Sequence, residues 1–294
     1  MATVNKNSAW WIATRPATLT ASAAPVLVGV GAAWADGVFA AGPALAALLG
    51  AFLLQIGANF ANDVFDFERG ADKVDRLGPQ RATQQGWISP AEMKRAMWLT
   101  FAAATLVGLY LVSVAGWPVL ALGLASIAAA YLYTGGPRPY GYLGFGDLSV
   151  FVFFGLGAVA GTYYVQAVNL SWLAVLASIP IGALATAILV VNNLRDIETD
   201  ARAGKLTLAV RIGDGPTRVY YLALLLLAYL VPTLLWWLDM ASAWVLLPWA
   251  SLPLALRLAA RMRHERGLSL NGCLVHTARL EVIFGLLFAL GLAS

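Results

Sequence analysis

Apolar stretches long enough to cross a bilayer follow one another along the whole chain, and that repetition leaves few folds open. A spanning helix needs about 20 consecutive apolar residues. With no water in the hydrocarbon, each backbone N–H and C=O must pair within its own segment or within a closed barrel. The runs read as nine helices, over roughly 17–35, 42–65, 92–114, 117–134, 147–168, 172–193, 215–238, 242–259 and 274–293. Most are apolar on every side, unlike the one-faced helices of soluble proteins. Only 12% of the 294 residues are charged, against ~25% in a soluble domain. The expected fold class is therefore an all-α integral membrane protein. Cys273 is the single cysteine, so no intrachain disulfide can form, and His264 and His276 lack the spacing of a metal site.

The charges sort by loop. Connections after the first, third, fifth and seventh helices contain no lysine or arginine, and every basic residue except Arg279 falls on the other side. The positive-inside rule makes that side cytoplasmic, with the N-terminus inside and the C-terminus outside. Loops two–three and six–seven carry more than topology requires, because acids are interleaved with the bases. The segment NDVFDFERGADKVDRLGPQR, residues 62–81, holds five acids and four bases.

Two of these loops begin alike. One opens NDVFDFE at Asn62 and the other NNLRDIE at Asn192; each has Asp four residues after Asn and Glu two further on. The chain thus reads as one domain, 1–294, of two pseudo-repeats with acidic motifs near 62–81 and 192–211. At helical spacing Gln55, Asn59, Asn62, Asp63 and Asp66 form one polar stripe, and Asn192, Asp196 and Asp200 another. Carboxylates in a span are costly and face a bundle interior or an aqueous cavity. Two such stripes can converge on one cavity. Clustered carboxylates repel unless a cation lies between them. Mg²⁺ suits them, since it bridges carboxylates to substrate phosphates. Lys73, Arg76, Arg81, Lys205 and Arg211 can bind the remaining phosphate oxygens. Acids and bases around one membrane cavity point to a metal-bound diphosphate with an apolar tail, the shape of a polyprenyl diphosphate.

At these residues the chain resembles the UbiA superfamily of intramembrane aromatic prenyltransferases, most closely its 1,4-dihydroxy-2-naphthoate polyprenyltransferase branch. The resemblance runs through WWIATRPATL, the 62–96 segment, YTGGPRPYGYLGFGDLSVFVFFG and VNNLRDIETDARAGKLTLAVRIG. The superfamily's Asn-x₃-Asp-x₃-Asp pattern is complete in Asn192, Asp196 and Asp200; in the first copy Gly70 stands at the third position after Asn62 and Asp66. Whether Asp63, Asp72 or Asp75 joins the metal set stays open. The resemblance implies nine helices around a central cavity in a prokaryotic inner membrane. It also implies Mg²⁺-dependent transfer of a polyprenyl group to dihydroxynaphthoate with loss of CO₂, giving demethylmenaquinol. Two Mg²⁺ would then lie on Asn62, Asp63, Asp66 and Asp72 and on Asn192, Asp196 and Asp200. Arg138, Tyr140 and Asp147 are candidates for orienting the acceptor, and Tyr131, Tyr133, Tyr140 and Phe151 for sheltering an allylic cation. The alternatives are another acceptor (4-hydroxybenzoate, homogentisate, chlorophyllide or haem) and, from a different class, a cation-coupled transporter, which the bases beside the acids oppose.

Overall fold

A computed structural model describes residues 5–70, 78 and 80–294. Nine hydrophobic segments are present among them. Eight are long and apolar enough to span a membrane, and the fifth helix in chain order, Trp117–Leu132, is shorter. The chain opens with α1 (Lys6–Thr14), which the sequence reading left out. Asn5 caps it by accepting from the Asn7 N–H at 3.1 Å. Pro16 then forces a break. A residue preceding proline is pushed out of the α region, and Arg15 adopts a left-handed φ of 51°. Proline in turn starts α2 (Pro16–Ala35), where a missing N–H costs nothing.

The next helices follow the apolar runs closely. They are α3 (Ala41–Glu68), α4 (Pro90–Ala115) and α5 (Trp117–Leu132). Ser89 and Glu92 form a capping box at the start of α4. Gly116 ends it, at a φ of 81° that only glycine takes without strain. The sixth helix, α6 (Gly146–Ala167), winds as a π-helix between Phe151 and Ala160. There it presses on α7 (Trp172–Arg195): a Cβ built on Gly155 would stand 2.9 Å from the Gly182 Cα. Such backbone approach is how spanning helices associate without a hydrophobic drive.

Two short helices, α8 (Ile197–Arg202) and α9 (Leu208–Ile212), form the loop before α10 (Asp214–Trp237). The chain ends with α11 (Ala243–Arg261) and α12 (Leu270–Leu292). The main core gathers α2, α10, α11 and α12 around α7, and a second joins α1, α3, α4 and the 82–88 turn. Large side chains such as Leu106, Leu226 and Leu256 stay exposed on the outer faces, which suits a lipid solvent. Exposed Trp34, Trp117, Trp172, Trp237 and Trp244 all lie at the ends that lack lysine and arginine, as an interfacial belt requires.

Candidate active site

The polar ends of α3 and α7 meet at a cavity of about 930 Å³. Its walls come from α1 to α8 and α12, and most of its lining is apolar, with Ala47, Ala51, Leu54, Gly108, Leu120, Gly123, Phe153, Phe154 and Gly157 along its length. The polar end holds Asn62, Asp66, Arg81, Asn192, Asp196, Asp200 and Lys205, so both sequence stripes reach one space.

Asp66 is 4% exposed. Arg81 Nη2 donates to its Oδ2 at 2.9 Å, and the Tyr142 hydroxyl donates to its Oδ1 at 2.8 Å. Asn62 Oδ1 accepts from the Thr134 hydroxyl at 3.0 Å. In the other half, Arg195 donates to both Asp196 oxygens, at 2.8 and 2.5 Å, and to Asn192 Oδ1 at 2.9 Å. Lys205 Nζ stands 3.8 Å from Asp200 Oδ1 and 5.4 Å from the centre of the Tyr142 ring. Arg69 lies over the same ring at 5.7 Å. Arg69 also ties the end of α3 to the next turn, donating to the Thr134 carbonyl at 3.0 Å and to the Gly136 carbonyl. Deeper along the stripe, Asn59 Nδ2 donates to the Thr14 carbonyl and the Thr18 hydroxyl, both at 2.9 Å, which pins the break between α1 and α2 against α3.

Other sequence candidates lie elsewhere. Asp63 is buried but turned from the cavity, and its oxygens accept from the Ala82 and Thr83 N–H groups at 3.1 and 3.0 Å. It anchors the loop that delivers Arg81. Arg211 packs beside Gly144 and donates to the Leu206 carbonyl at 3.2 Å. Arg138 is exposed, and Asp147 is buried at the start of α6; neither lines the cavity. Tyr131 stacks on Trp98 at 5.5 Å, and Phe151 packs at Gly182. Asp72, Lys73, Asp75 and Arg76 fall outside the described residues.

Tyr133 and Tyr140 do line the cavity. Burial raises both phenols above the usual tyrosine range, and the Asp147 carboxylate adds to the effect at Tyr133. Both therefore stay as O–H at working pH. The Tyr140 hydroxyl donates to the Ala129 carbonyl at 2.8 Å and lies 2.9 Å from the Ser149 hydroxyl. Sequence reasoning missed Phe153 and Phe154, and the clamps Tyr142, Arg195 and Asn271. The aromatic pair was visible as FFGLG, with glycines opening the facing turns; the clamps had no signal, since a tyrosine in a loop or an arginine at a helix end has many ordinary roles.

Among the described residues no group of three His, Cys, Asp or Glu side chains is placed to hold one metal ion. Asp66, Asp196 and Asp200 instead offer hard oxygens from two sides of one space. That donor set fits Mg²⁺, which keeps waters and shares substrate phosphates, better than a cation needing an all-protein shell.

The profile of the UbiA prenyltransferase family matches residues 22–271. The 1,4-dihydroxy-2-naphthoate octaprenyltransferase of Mycobacterium tuberculosis is 44% identical, over 88% of this chain and 87% of that protein. The Escherichia coli protein of the same description is 41% identical, over 98% of this chain and 96% of its own length. Among solved structures, a UbiA homologue from Archaeoglobus fulgidus bound to DMAPP and Mg²⁺ superposes with a TM-score of 0.65 at 14% identity, covering 95% of this chain and 98% of that one.

Proposed function

The chain belongs to the UbiA prenyltransferase family and is a membrane-embedded prenyltransferase, and from that premise we propose that it transfers a polyprenyl group from its diphosphate to 1,4-dihydroxy-2-naphthoate, releasing diphosphate and CO₂ and giving demethylmenaquinol. The observation that carries this reading is the convergence of Asp66, Asp196 and Asp200 with Arg81 and Lys205 at one end of an otherwise apolar cavity. The near-full-length likeness to naphthoate octaprenyltransferases supports the acceptor. DMAPP and Mg²⁺ in the archaeal homologue support a metal-dependent diphosphate.

Asp66, Asp196 and Asp200 would hold Mg²⁺, one ion toward each motif. Once bound, the metal supplies charge neutralisation that lets the diphosphate leave. Arg81 and Lys205 reach the same space and take up charge on the departing oxygens. As the allylic C–O bond breaks, the apolar walls keep water from the carbon left electron-poor. The faces of Phe153, Phe154, Tyr133 and Tyr140 stabilise positive charge by about 0.5–2 kcal/mol each. The acceptor's ring carbon forms the new C–C bond, and the C–C bond to its carboxylate breaks as CO₂ leaves.

The basic loops support an active end at the cytoplasmic face of the inner membrane, with the N-terminus inside and the C-terminus outside. The whole chain then acts as one domain of two pseudo-repeats. The deciding experiment uses pure protein in detergent with dihydroxynaphthoate and a polyprenyl diphosphate, with Mg²⁺ and then with EDTA. Metal-dependent prenylated naphthoquinol is expected. Folded protein giving no product would turn attention to other aromatic acceptors.

A further inference from the structure

Arg195 closes α7 one residue before Asp196, and its side chain is 1% exposed. Asn192 and Asp196 line the cavity; Arg195 does not. The guanidinium thus reaches both neighbours from behind the wall. Its Nε and Nη2 hold the two Asp196 oxygens, Nη2 also donates to Asn192 Oδ1 at 2.9 Å, and Nη1 donates to Asn271 Oδ1 at 2.9 Å. Asn271 stands at the start of α12, so two helices fix the guanidinium.

Arginine has donors only. The arm of Asn192 that faces Arg195 must therefore be its oxygen. A carboxamide carries oxygen and nitrogen on opposite arms of one plane, so the NH₂ arm turns away from Arg195, and Asn192 lines the cavity. The other half repeats the choice, with Asn62 Oδ1 taken by the Thr134 hydroxyl.

We propose that Arg195 is a positioning residue that presents the Asn192 NH₂ to the diphosphate, making Asn192 a hydrogen-bond donor to a phosphate oxygen instead of a metal ligand. The inference rests on the prenyl diphosphate reading and refines it. It assigns Asn192 away from the metal set that the motif suggests, and it gives Arg195 a purpose beyond pairing with Asp196.

The test exchanges the NH₂ for oxygen at nearly constant shape, in Asn192→Asp. Three quantities are read on protein that is monodisperse in detergent: Mn²⁺ affinity without diphosphate, affinity for inorganic pyrophosphate with Mn²⁺, and KM for a polyprenyl diphosphate. A lost hydrogen bond to a charged oxygen, with repulsion in its place, should weaken pyrophosphate and raise KM at least about tenfold, while Mn²⁺ binds equally well or better. Asn192→Asp with native pyrophosphate affinity and KM would overturn the proposal. So would a marked loss of Mn²⁺ affinity in Asn192→Ala, which marks a ligand. Arg195→Lys keeps the charge but cannot span the four acceptor oxygens. It should raise KM more than it lowers kcat, and a native KM would remove Arg195 from the argument. Wild-type protein that binds no pyrophosphate would fail the diphosphate reading itself, whereas native binding left unchanged in Asn192→Asp fails this inference alone.

Discussion

The two acidic motifs share a spacing but are held in different ways. At the end of α7, Asp196 is clamped by the adjacent residue, Arg195, so the carboxylate and its cation share one helix end, with Asn271 of α12 bracing the guanidinium from behind. At the end of α3, Asp66 depends on Arg81, fifteen residues on, and on Tyr142, seventy-six residues on. Its loop is itself tied down by Asp63. A pair of adjacent residues forms with the helix end itself, whereas Asp66 has its partners only once Arg81 and Tyr142 are brought to it from elsewhere in the chain. The difference predicts which substitutions act on chemistry alone and which also act on the fold.

The largest effect is expected where the halves are equivalent. Asp66→Ala and Asp196→Ala should each lower kcat by about 10²–10³-fold or more, the scale of losing a group that stabilises developing charge. EDTA should abolish turnover of the wild type. Steady-state assays on inserted, monodisperse protein check both. Native turnover in either variant would remove that carboxylate from the metal set.

The next effect separates the halves. Arg81→Ala leaves Asp66 buried without its cation, and breaking a buried pair from one side costs about 3–5 kcal/mol. A marked fall in Tm should accompany the loss of activity. Lys205→Ala should spare Tm, because its 3.8 Å pairing with Asp200 is loose, and should chiefly raise KM for the diphosphate. Thermal unfolding in detergent beside KM for each variant reads the contrast. Equal Tm losses would mean that the buried Arg81–Asp66 pair contributes no more to the fold than the loose Lys205–Asp200 pair.

Much of this was legible in the chain itself. The nine helices could be read because a bilayer admits only long apolar runs, and the observed ends differ from the expected ones by a few residues. Even α5, too short to stand out alone, is fixed by Gly116 before it and the polar YTGGPRP after it. That Asn62, Asp66, Asn192, Asp196 and Asp200 share one cavity could be read because polar groups and carboxylates in a span need a reason. Asp63 could not be told from Asp66, since helical spacing puts both near the site. Only the turn at Ala82 and Thr83, with two backbone N–H groups aimed at Asp63, sets it apart from Asp66, which lines the cavity. The break at Arg15 was signalled by Pro16, yet the short helix before it was too brief and too polar to register. Tyr131 and Phe151 illustrate a further limit. An aromatic residue in an apolar helix looks the same whether it faces a neighbour or a cavity, and here Phe153 and Phe154 face the cavity instead.

Asp63 gives a smaller and more telling effect. Asp63→Asn keeps one acceptor oxygen for the Ala82 and Thr83 N–H groups, and should lose about 1–3 kcal/mol, the cost of leaving a buried backbone donor unmet. Activity should fall less than in Asp66→Asn, with the loss carried by KM as Arg81 becomes less well placed. Limited proteolysis should cut the 69–81 segment faster than in the wild type. A kcat loss as deep as that of Asp66→Asn, with native proteolysis, would make Asp63 a ligand and not an anchor.

The smallest effect belongs to Tyr142. Tyr142→Phe keeps the ring that Arg69 and Lys205 cover, so the cation–π contacts persist. Only the hydroxyl is lost, and with it a hydrogen bond that orients Asp66. A hydrogen bond of this kind contributes about 0.5–1.5 kcal/mol net, a few-fold in rate if all of it acts on the reacting geometry. Asp196 makes no such bond to a phenol, so the effect should vanish if Tyr142→Phe is read through second-half properties such as the Arg195-dependent KM. A double cycle of Tyr142→Phe with Arg81→Lys should show coupling, because both groups hold the same carboxylate. The same cycle with Arg195→Lys should be additive, as expected for sites with no shared partner. Coupling across the halves would mean that the two motifs move as one unit, and the contrast between a local and a long-range half-site would then describe only how they are built.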